Sequence, residues 1–286
     1  MSSAATESLG KIVAVWSASG SVGRTSLVAS IACEVAKLQK RVLLIDADVY
    51  APSLIQHFGF DQNYSGLSAC MRLIDQGRRD DEGLNRLLLD FQLPKQNLKL
   101  LAGLTMVNRW PEIGFERIRE LLEFAAKRFD FVFVDVATNL EADVVDSQLL
   151  SARNSTTLGV LAAANQVIAV CAADVIGINR FVWAMQSLRE LKLSASIHVL
   201  VNRLNQSTLG RKAAADIATS IRTLAECQVD AFVDEDTALF GRALAEGVPA
   251  ALIGRNSSAK QQIAKFALSQ LLELPSKSNR RVAKLG

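Results

Sequence analysis

Residues 11–26 read KIVAVWSASGSVGRTS, and this stretch decides the fold. The apolar run at its start predicts a buried strand over residues 11–16. Small residues follow, and a helical pattern then covers residues 23–38, with one apolar stripe formed by Leu27, Ile31, Val35 and Leu38. A first strand that passes through a loop of small residues into a helix can cradle phosphate groups, so this segment is a candidate anion-binding loop.

The loop matches the phosphate-loop pattern G-x-x-x-x-G-K-[ST] at two of its four defining positions. Ala18 stands at the first glycine, Gly23 at the second, Arg24 at the lysine and Thr25 at the hydroxyl residue. Small residues let backbone N–H groups turn toward phosphate oxygens, and the helix N-terminus adds a positive dipole. Arg24 supplies positive charge, although a guanidinium is wider than an ammonium. The plainer alternative is a turn that only joins a strand to a helix.

The rest of the chain alternates short apolar runs with helical patterns. Strands are predicted at residues 41–46, 98–101, 129–134, 166–172, 197–201 and 229–233, and helices at 115–127, 177–191, 238–246 and 259–272. Continuously apolar strands separated by helices favour an α/β fold with a doubly wound, mostly parallel sheet covered on both faces. Residues 59–95 are the least regular part, and we expect surface helices and loops there. No boundary divides the chain, so we predict a single domain.

Polar side chains stand where the predicted strands end. In parallel sheets these ends face the ligand crevice. Asp46 is a candidate for holding a metal-bound water, Asp48 for orienting an attacking water, and Asp135 occupies the Walker B position after a buried strand. Thr25 could place its hydroxyl on Mg²⁺, and Asn202 could pair its amide with an adenine edge. Each has a plainer alternative as a helix cap, a loop carboxylate or a turn residue.

Composition excludes several classes of protein. The chain has 286 residues, half of them hydrophobic, and a formal net charge of +3, which excludes a disordered chain and a strongly basic nucleic-acid binder. Its four cysteines form no CxxC pair, so the spacing predicts neither a metal-ligand motif nor an iron–sulfur cluster. We interpret Trp16, Cys33 and Cys171 as core residues. No signal peptide or spanning helix is visible, and a cytoplasmic protein is expected.

Five motifs in this order resemble the MinD/ParA superfamily of P-loop ATPases with a deviant Walker A motif. The resemblance covers about residues 11–272 and is closest to MinD and to the CpaE/TadZ proteins of Flp/Tad pilus assembly. It rests on SGSVGRT at 19–25, VLLIDADVYAPSL at 42–54, FDFVFVDV at 129–136, VLVNRLN at 199–205 and DEDTALF at 234–240.

The resemblance implies a P-loop NTPase fold with ATP and Mg²⁺ as cofactors. It places the metal at Thr25, Asp46 and Asp135, and catalysis at Asp48 and Arg24. The residues it assigns to nucleotide binding are Ser19, Gly20, Ser21, Val22, Gly23, Arg24, Thr25, Ser26 and Asn202.

Three departures from the family pattern bear on catalysis. The signature lysine of the family is Ser19 here, the P-loop lysine is Arg24, and Ser21 replaces a glycine. Phosphoryl transfer depends on positive charge at the γ-phosphate, so the resemblance implies weak or absent ATP hydrolysis. Slow ATPase activity and a pseudo-ATPase scaffold without turnover both stay open.

The resemblance also implies partners. We expect a homodimer that acts as a positioning or assembly factor with a protein partner of a pilus, secretion or septum-site system. A ParA-type partition ATPase that binds DNA non-specifically is the alternative. The predicted parts are a disordered N-terminus at 1–10, the nucleotide-binding domain at 11–274 and a tail at 275–286 that holds four basic and no acidic residues. Weak peripheral contact of this tail with the inner face of the membrane, or plain solvation, are the alternatives.

Overall fold

The computed structural model describes residues 9–61, 64–78, 80–93, 97–141 and 148–272. In this part of the chain eight strands form one sheet in the order β3-β4-β2-β5-β1-β6-β7-β8. They are β1 (Lys11–Ser17), β2 (Val42–Ala47), β3 (Leu89–Gln92), β4 (Asn97–Leu101), β5 (Phe131–Val136), β6 (Gln166–Ala172), β7 (Ser196–Leu204) and β8 (Val229–Asp234). Neighbouring strands are parallel except β3 and β4, which are antiparallel.

Eleven α-helices of the described residues connect and cover the strands. They are α1 (Arg24–Ala36), α2 (Leu54–His57), α3 (Gly66–Asp75), α4 (Asp81–Asn85), α5 (Phe115–Ala126), α6 (Gln148–Ala163), α7 (Val175–Glu190), α8 (Gln206–Leu209), α9 (Ala213–Leu224), α10 (Thr237–Glu246) and α11 (Ser258–Phe266). Short 3-10 turns lie at Val107–Glu112 and Ala250–Leu252, and a π-helical turn follows α11 at Ala267–Leu271. None of these described helices combines the length and the apolar character needed to cross a membrane.

Helices pack on both faces of the sheet. Successive residues of a strand face opposite sides, so Val13 and Val15 of β1 enter one core while Ala14 and Trp16 enter the other. The first core is completed by α1, α2, α10 and α11, and the second by α3, α4, α5, α6, α7 and α9. Trp16 is fully buried, and its indole nitrogen donates to the Thr138 carbonyl at 2.8 Å. This arrangement confirms the predicted doubly wound α/β fold in one domain.

The sheet has its switch point at β1. The first half of the chain adds strands on the β5 side of β1, and β6, β7 and β8 lie on its other side. In open parallel sheets a ligand crevice forms outside the carboxyl ends of the strands at such a point. The loop of residues 18–23 leaves β1 there and shares this edge with the carboxyl ends of β2, β5 and β7.

Two predicted strands have boundaries that differ from the structure by more than one residue. β5 begins at Phe131 instead of residue 129, because Asp130 accepts hydrogen bonds from the backbone N–H and the guanidinium of Arg41, both at 2.8 Å. β7 continues to Leu204 instead of ending at residue 201, so Asn202 lies within the strand and does not follow it.

The expectation for residues 59–95 was also wrong in part. Besides α3 and α4, this region contains the edge strand β3, whose residues alternate between half-buried and exposed. Helix α6 was missed as well. Its buried side carries Asn154, Thr156 and Thr157 beside Val160 and Leu161, so it shows no purely apolar stripe. Residues 1–8 of the predicted N-terminal segment at 1–10 lie outside the described residues, as does the whole tail at 275–286.

Candidate functional site

Arg24, the first residue of α1, is buried and binds two strand-end carboxylates. Its Nε donates to Asp135 Oδ1 at 2.5 Å, its Nη2 to Asp48 Oδ2 at 2.6 Å and its Nη1 to the Ser17 hydroxyl at 3.2 Å. Burial lowers the pKa of Arg24, but the two carboxylates raise it by more, so the guanidinium stays charged. Three neighbouring strands of the sheet are thereby joined through one side chain.

Asp135, near the end of β5, also contacts the Thr25 side chain. The Thr25 hydroxyl donates to Asp135 Oδ2 at 2.7 Å, so both carboxylate oxygens are engaged. Burial raises the pKa of Asp135, and this effect outweighs the opposing attraction of Arg24 and the hydrogen bond from Thr25. The structure therefore brings together two of the three residues predicted to hold the metal, the hydroxyl of Thr25 and the carboxylate of Asp135.

Asp46, near the end of β2, binds the backbone at the start of α2. Its Oδ2 accepts hydrogen bonds from the N–H groups of Ser53 and Leu54 at 2.9 Å, and its Oδ1 accepts one from Asp48 N–H at 3.2 Å. Burial raises the pKa of Asp46 to about 8, and the nearby carboxylates of Asp135 and Asp48 add to this. Asp46 thus binds N–H groups at the start of α2, which agrees with its plainer interpretation as a helix cap. Its role near a metal stays a prediction.

Asp48 has both oxygens occupied too. Its Oδ2 binds Arg24, and its Oδ1 accepts the N–H groups of Tyr50 and Ala51 at 2.9 Å. The segment between β2 and α2, which contains Asp48 and Tyr50, also contacts α6. The Tyr50 hydroxyl donates to Asn154 Oδ1 at 2.8 Å, and the Arg153 guanidinium lies 3.8 Å from the Tyr50 ring centroid. Sequence reasoning missed these contacts, because they join residues about a hundred positions apart with no local motif.

The loop between β1 and α1 has an unusual backbone. Ser21 and Gly23 both have positive φ, at 61° and 82°. Glycine adopts this conformation without a steric penalty, whereas Ser21 does so at a cost. Gly20 and Ser21 are exposed, Val22 is buried, and the Ser19 carbonyl accepts a hydrogen bond from Ser17 at 2.9 Å.

Asn202 reaches this loop from β7. Its Nδ2 donates to the Val22 carbonyl at 2.7 Å. A Cβ atom on Gly23 would lie 2.7 Å from that same Nδ2, so a larger residue here would have to displace the Asn202 amide from the Val22 carbonyl, and the positive φ of residue 23 would add strain. The Oδ1 atom of Asn202 is buried and has no hydrogen-bond partner among the described residues. It is one of nine such side-chain atoms in the described part of the chain, and it belongs to a side chain that is hydrogen-bonded to this loop.

The carboxyl edge of the sheet therefore carries three buried carboxylates and one buried guanidinium. They are Asp46, Asp48, Asp135 and Arg24. Nowhere in the described part of the chain do three or more His, Cys, Asp or Glu side chains come together as a metal site. A cation at Thr25 and Asp135 would need further oxygen ligands from a bound molecule or from water.

A family comparison agrees with this geometry. Residues 13–249 match the model described as the CobQ/CobB/MinD/ParA nucleotide binding domain. The chain belongs to this family. The predicted membership in the MinD/ParA superfamily is thereby confirmed, and the matched region contains every predicted site residue.

Individual relatives have low sequence identity to this chain. The chain is 29% identical over 176 residues to the septum site-determining protein MinD of Synechocystis, a match that covers 59% of this chain and 62% of that protein. The chain thus spans about three fifths of the length of this curated relative.

Two solved structures share the fold. The ParA family ATPase of Chlorobium tepidum has a TM-score of 0.75 at 17% identity, covering 91% of this chain and 98% of the other. The MinD protein of Pyrococcus horikoshii, solved as a complex with Mg-ADP, has a TM-score of 0.70 at 18% identity, covering 94% and 100%. At this identity the likeness shows the fold alone.

Proposed function

We propose that this chain binds ATP with Mg²⁺ at the loop of residues 18–25, with the adenine at Asn202. The observation that carries the proposal is the buried Oδ1 of Asn202, which lies beside the loop without a partner. Because Nδ2 is fixed on the Val22 carbonyl, Oδ1 remains as the free acceptor. The exocyclic amino group of adenine would donate to it, whereas a guanine carbonyl at that place would repel it.

The residues present also fit the phosphates and the metal. The loop backbone and the N-terminus of α1 offer N–H groups to phosphate oxygens, with exposed small residues at Gly20 and Ser21 that allow close approach. Thr25 and Asp135 would hold Mg²⁺, which supplies positive charge beside the phosphates. The residues we assign to the nucleotide are Ser19, Gly20, Ser21, Val22, Gly23, Arg24, Thr25, Ser26 and Asn202, with Asp46 beside the metal.

Weak or absent hydrolysis is the second part of the proposal. The guanidinium of Arg24 is held by Asp48 and Asp135, so it is not directed at a γ-phosphate. The two oxygens of Asp48, which would orient the attacking water, are occupied by Arg24 and by backbone N–H groups. Hydrolysis would require these bonds to be exchanged, which adds to the barrier. Arg24 and Asp48 remain the proposed catalytic residues if turnover occurs.

We infer that the cellular role is that of a dimeric positioning or assembly factor with a protein partner, for a septum site, a pilus or a secretion system. Family membership and the septum-site role named for the Synechocystis relative support this. The closer likeness to the CpaE/TadZ proteins stays a prediction. A ParA-type partition ATPase is the second candidate, favoured by the fold shared with the Chlorobium ATPase.

Nucleotide selectivity tests the proposal most directly. Binding of ATP and GTP, each with Mg²⁺, is measured by calorimetry for the wild type, for Asn202→Ala and for Asn179→Ala, an exposed asparagine on α7 that serves as control. We expect the wild type and the control to prefer ATP, and Asn202→Ala to lose about tenfold in ATP affinity and most of the preference. A wild type that binds neither nucleotide contradicts the proposal.

Three further measurements on the purified protein test ATP turnover, dimerisation and DNA binding. Phosphate release is compared between the wild type and Arg24→Lys, and a faster lysine variant would support an attenuated native site. Sedimentation with and without ATP reports dimerisation. Salt-sensitive retention of duplex DNA only with ATP would favour the partition role over the positioning role.

A further inference from the structure

The loop positions of the proposed nucleotide site offer little positive charge that is not already paired with a carboxylate. Ser19 carries none, and Arg24 is neutralised by two carboxylates at 2.5 and 2.6 Å. A triphosphate brings several negative charges to an edge that already holds three buried carboxylates. Backbone N–H groups and one Mg²⁺ leave part of that charge unbalanced, so a further cation is expected nearby.

Arg203 lies at this place. It follows Asn202 in β7 and is exposed, and its Nε is 3.9 Å from the position that a Cβ atom on Gly23 would take. It forms no ion pair with a carboxylate in the described residues, in contrast to Arg24. Arg203 is therefore a cation beside the loop that remains available to an anion.

The backbone at Arg203 is built in a way that regular strand geometry would not produce. Consecutive residues of a strand point to opposite faces, yet Asn202 and Arg203 both reach Gly23. Arg203 has a φ of 61°, and the pairing of β7 with β8 shifts register between Val201 and Leu204. A left-handed conformation is unfavourable for arginine, and strain of this kind is found where function requires a particular side-chain direction.

We propose that Arg203 is the cation that pairs with the phosphate oxygens of a nucleotide bound at residues 18–25. This inference rests on the proposed function. Gly23 directly precedes α1, whose first N–H groups face the same anion, so a phosphate held there lies within reach of Arg203. A planar guanidinium can give two parallel hydrogen bonds to one phosphate group, which a loop of small residues cannot supply.

The test separates charge pairing from contact with the base. Calorimetry gives the affinities of adenosine, ADP and ATP for the wild type, Arg203→Ala, Arg203→Gly and Arg203→Lys. The glycine variant removes the side chain while tolerating the left-handed backbone, so it controls for strain. Arg222→Ala, an exposed arginine on α9, is the matched surface control.

We expect both truncations at residue 203 to weaken ATP binding by about tenfold or more and adenosine binding by less than about twofold. The salt dependence of ATP binding should fall in the same variants, Arg203→Lys should recover part of the affinity, and Arg222→Ala should match the wild type. Equal losses for adenosine and ATP would overturn the phosphate role. An unchanged Arg203→Gly would overturn the inference alone, whereas a wild type without nucleotide binding would overturn the proposed function as well.

Discussion

Replacing Arg24 by methionine would remove the one buried positive charge among three buried carboxylates. Methionine fills a similar length of side chain, so the change is mainly electrostatic. The Arg24 side chain is only 9% exposed, and its partners Asp48 and Asp135 are 8% and 1% exposed, so water cannot replace the lost contacts. The substitution leaves two carboxylates buried without their counter-charge.

The expected cost follows from this burial. Removing one partner of a buried ion pair costs about 3–5 kcal/mol, because the other charge stays desolvated. For a chain of this size roughly 2 °C of Tm corresponds to 1 kcal/mol, so Tm should fall by about 6–10 °C at pH 8. Burial already raises the pKa of Asp135, and loss of Arg24 raises it further. At pH 5.5 Asp135 takes up a proton more readily than at pH 8, so the loss should be smaller there.

Differential scanning calorimetry without nucleotide measures this effect at both pH values. The control is Arg86→Met, which breaks the exposed i,i+4 pair of Arg86 with Glu82 and should cost less than about 0.5 kcal/mol. Adding Asp48→Asn to Arg24→Met should recover part of the lost Tm, because it removes one uncompensated charge. A Tm drop no larger than that of the control, or a larger drop at pH 5.5 than at pH 8, would refute the reasoning.

Three further outcomes are expected. Gly23→Ala should weaken ATP binding at least about tenfold, since its Cβ would displace the amide of Asn202; unchanged calorimetric affinity would contradict this. The pKa of Asp46 is raised to about 8, so the wild type should lose stability as pH rises from about 4 toward 8 and this buried carboxyl ionises. The Tm of Asp46→Asn should fall less over the same range, and parallel Tm profiles of the two proteins would contradict this expectation. Native protein should react with a thiol reagent first at half-buried Cys227, and mass spectrometry showing earlier labelling of the three buried cysteines would count against the described core.

Much of the fold could be predicted from the sequence because its signals are local. Apolar runs such as residues 166–172 and helical stripes such as that of α1 depend on neighbouring residues only. Helix α6 escaped because its buried side mixes polar and apolar residues, and the edge strand β3 escaped because four half-exposed residues form too short a pattern. These failures have a common reason, since in both cases the burial depends on a distant partner.

The candidate site divides in the same way. By itself the sequence determined the phosphate-type loop, its place between the first strand and helix, and the acidic residues at the ends of parallel strands. It did not determine what those side chains bind. Only the tertiary structure places Asn202 on the Val22 carbonyl, 180 positions away, and Arg24 between two carboxylates.

The orientation of Arg203 is likewise a product of packing. A strand pattern predicts that residues 202 and 203 point to opposite faces, and a left-handed φ at residue 203 changes that. Residue types and spacing specify which groups are available at the edge of the sheet. Distances of a few ångströms between segments far apart in the chain decide which of these groups neutralise one another and which remain free for a ligand. The reason is that hydrogen bonds and buried ion pairs act only at that range.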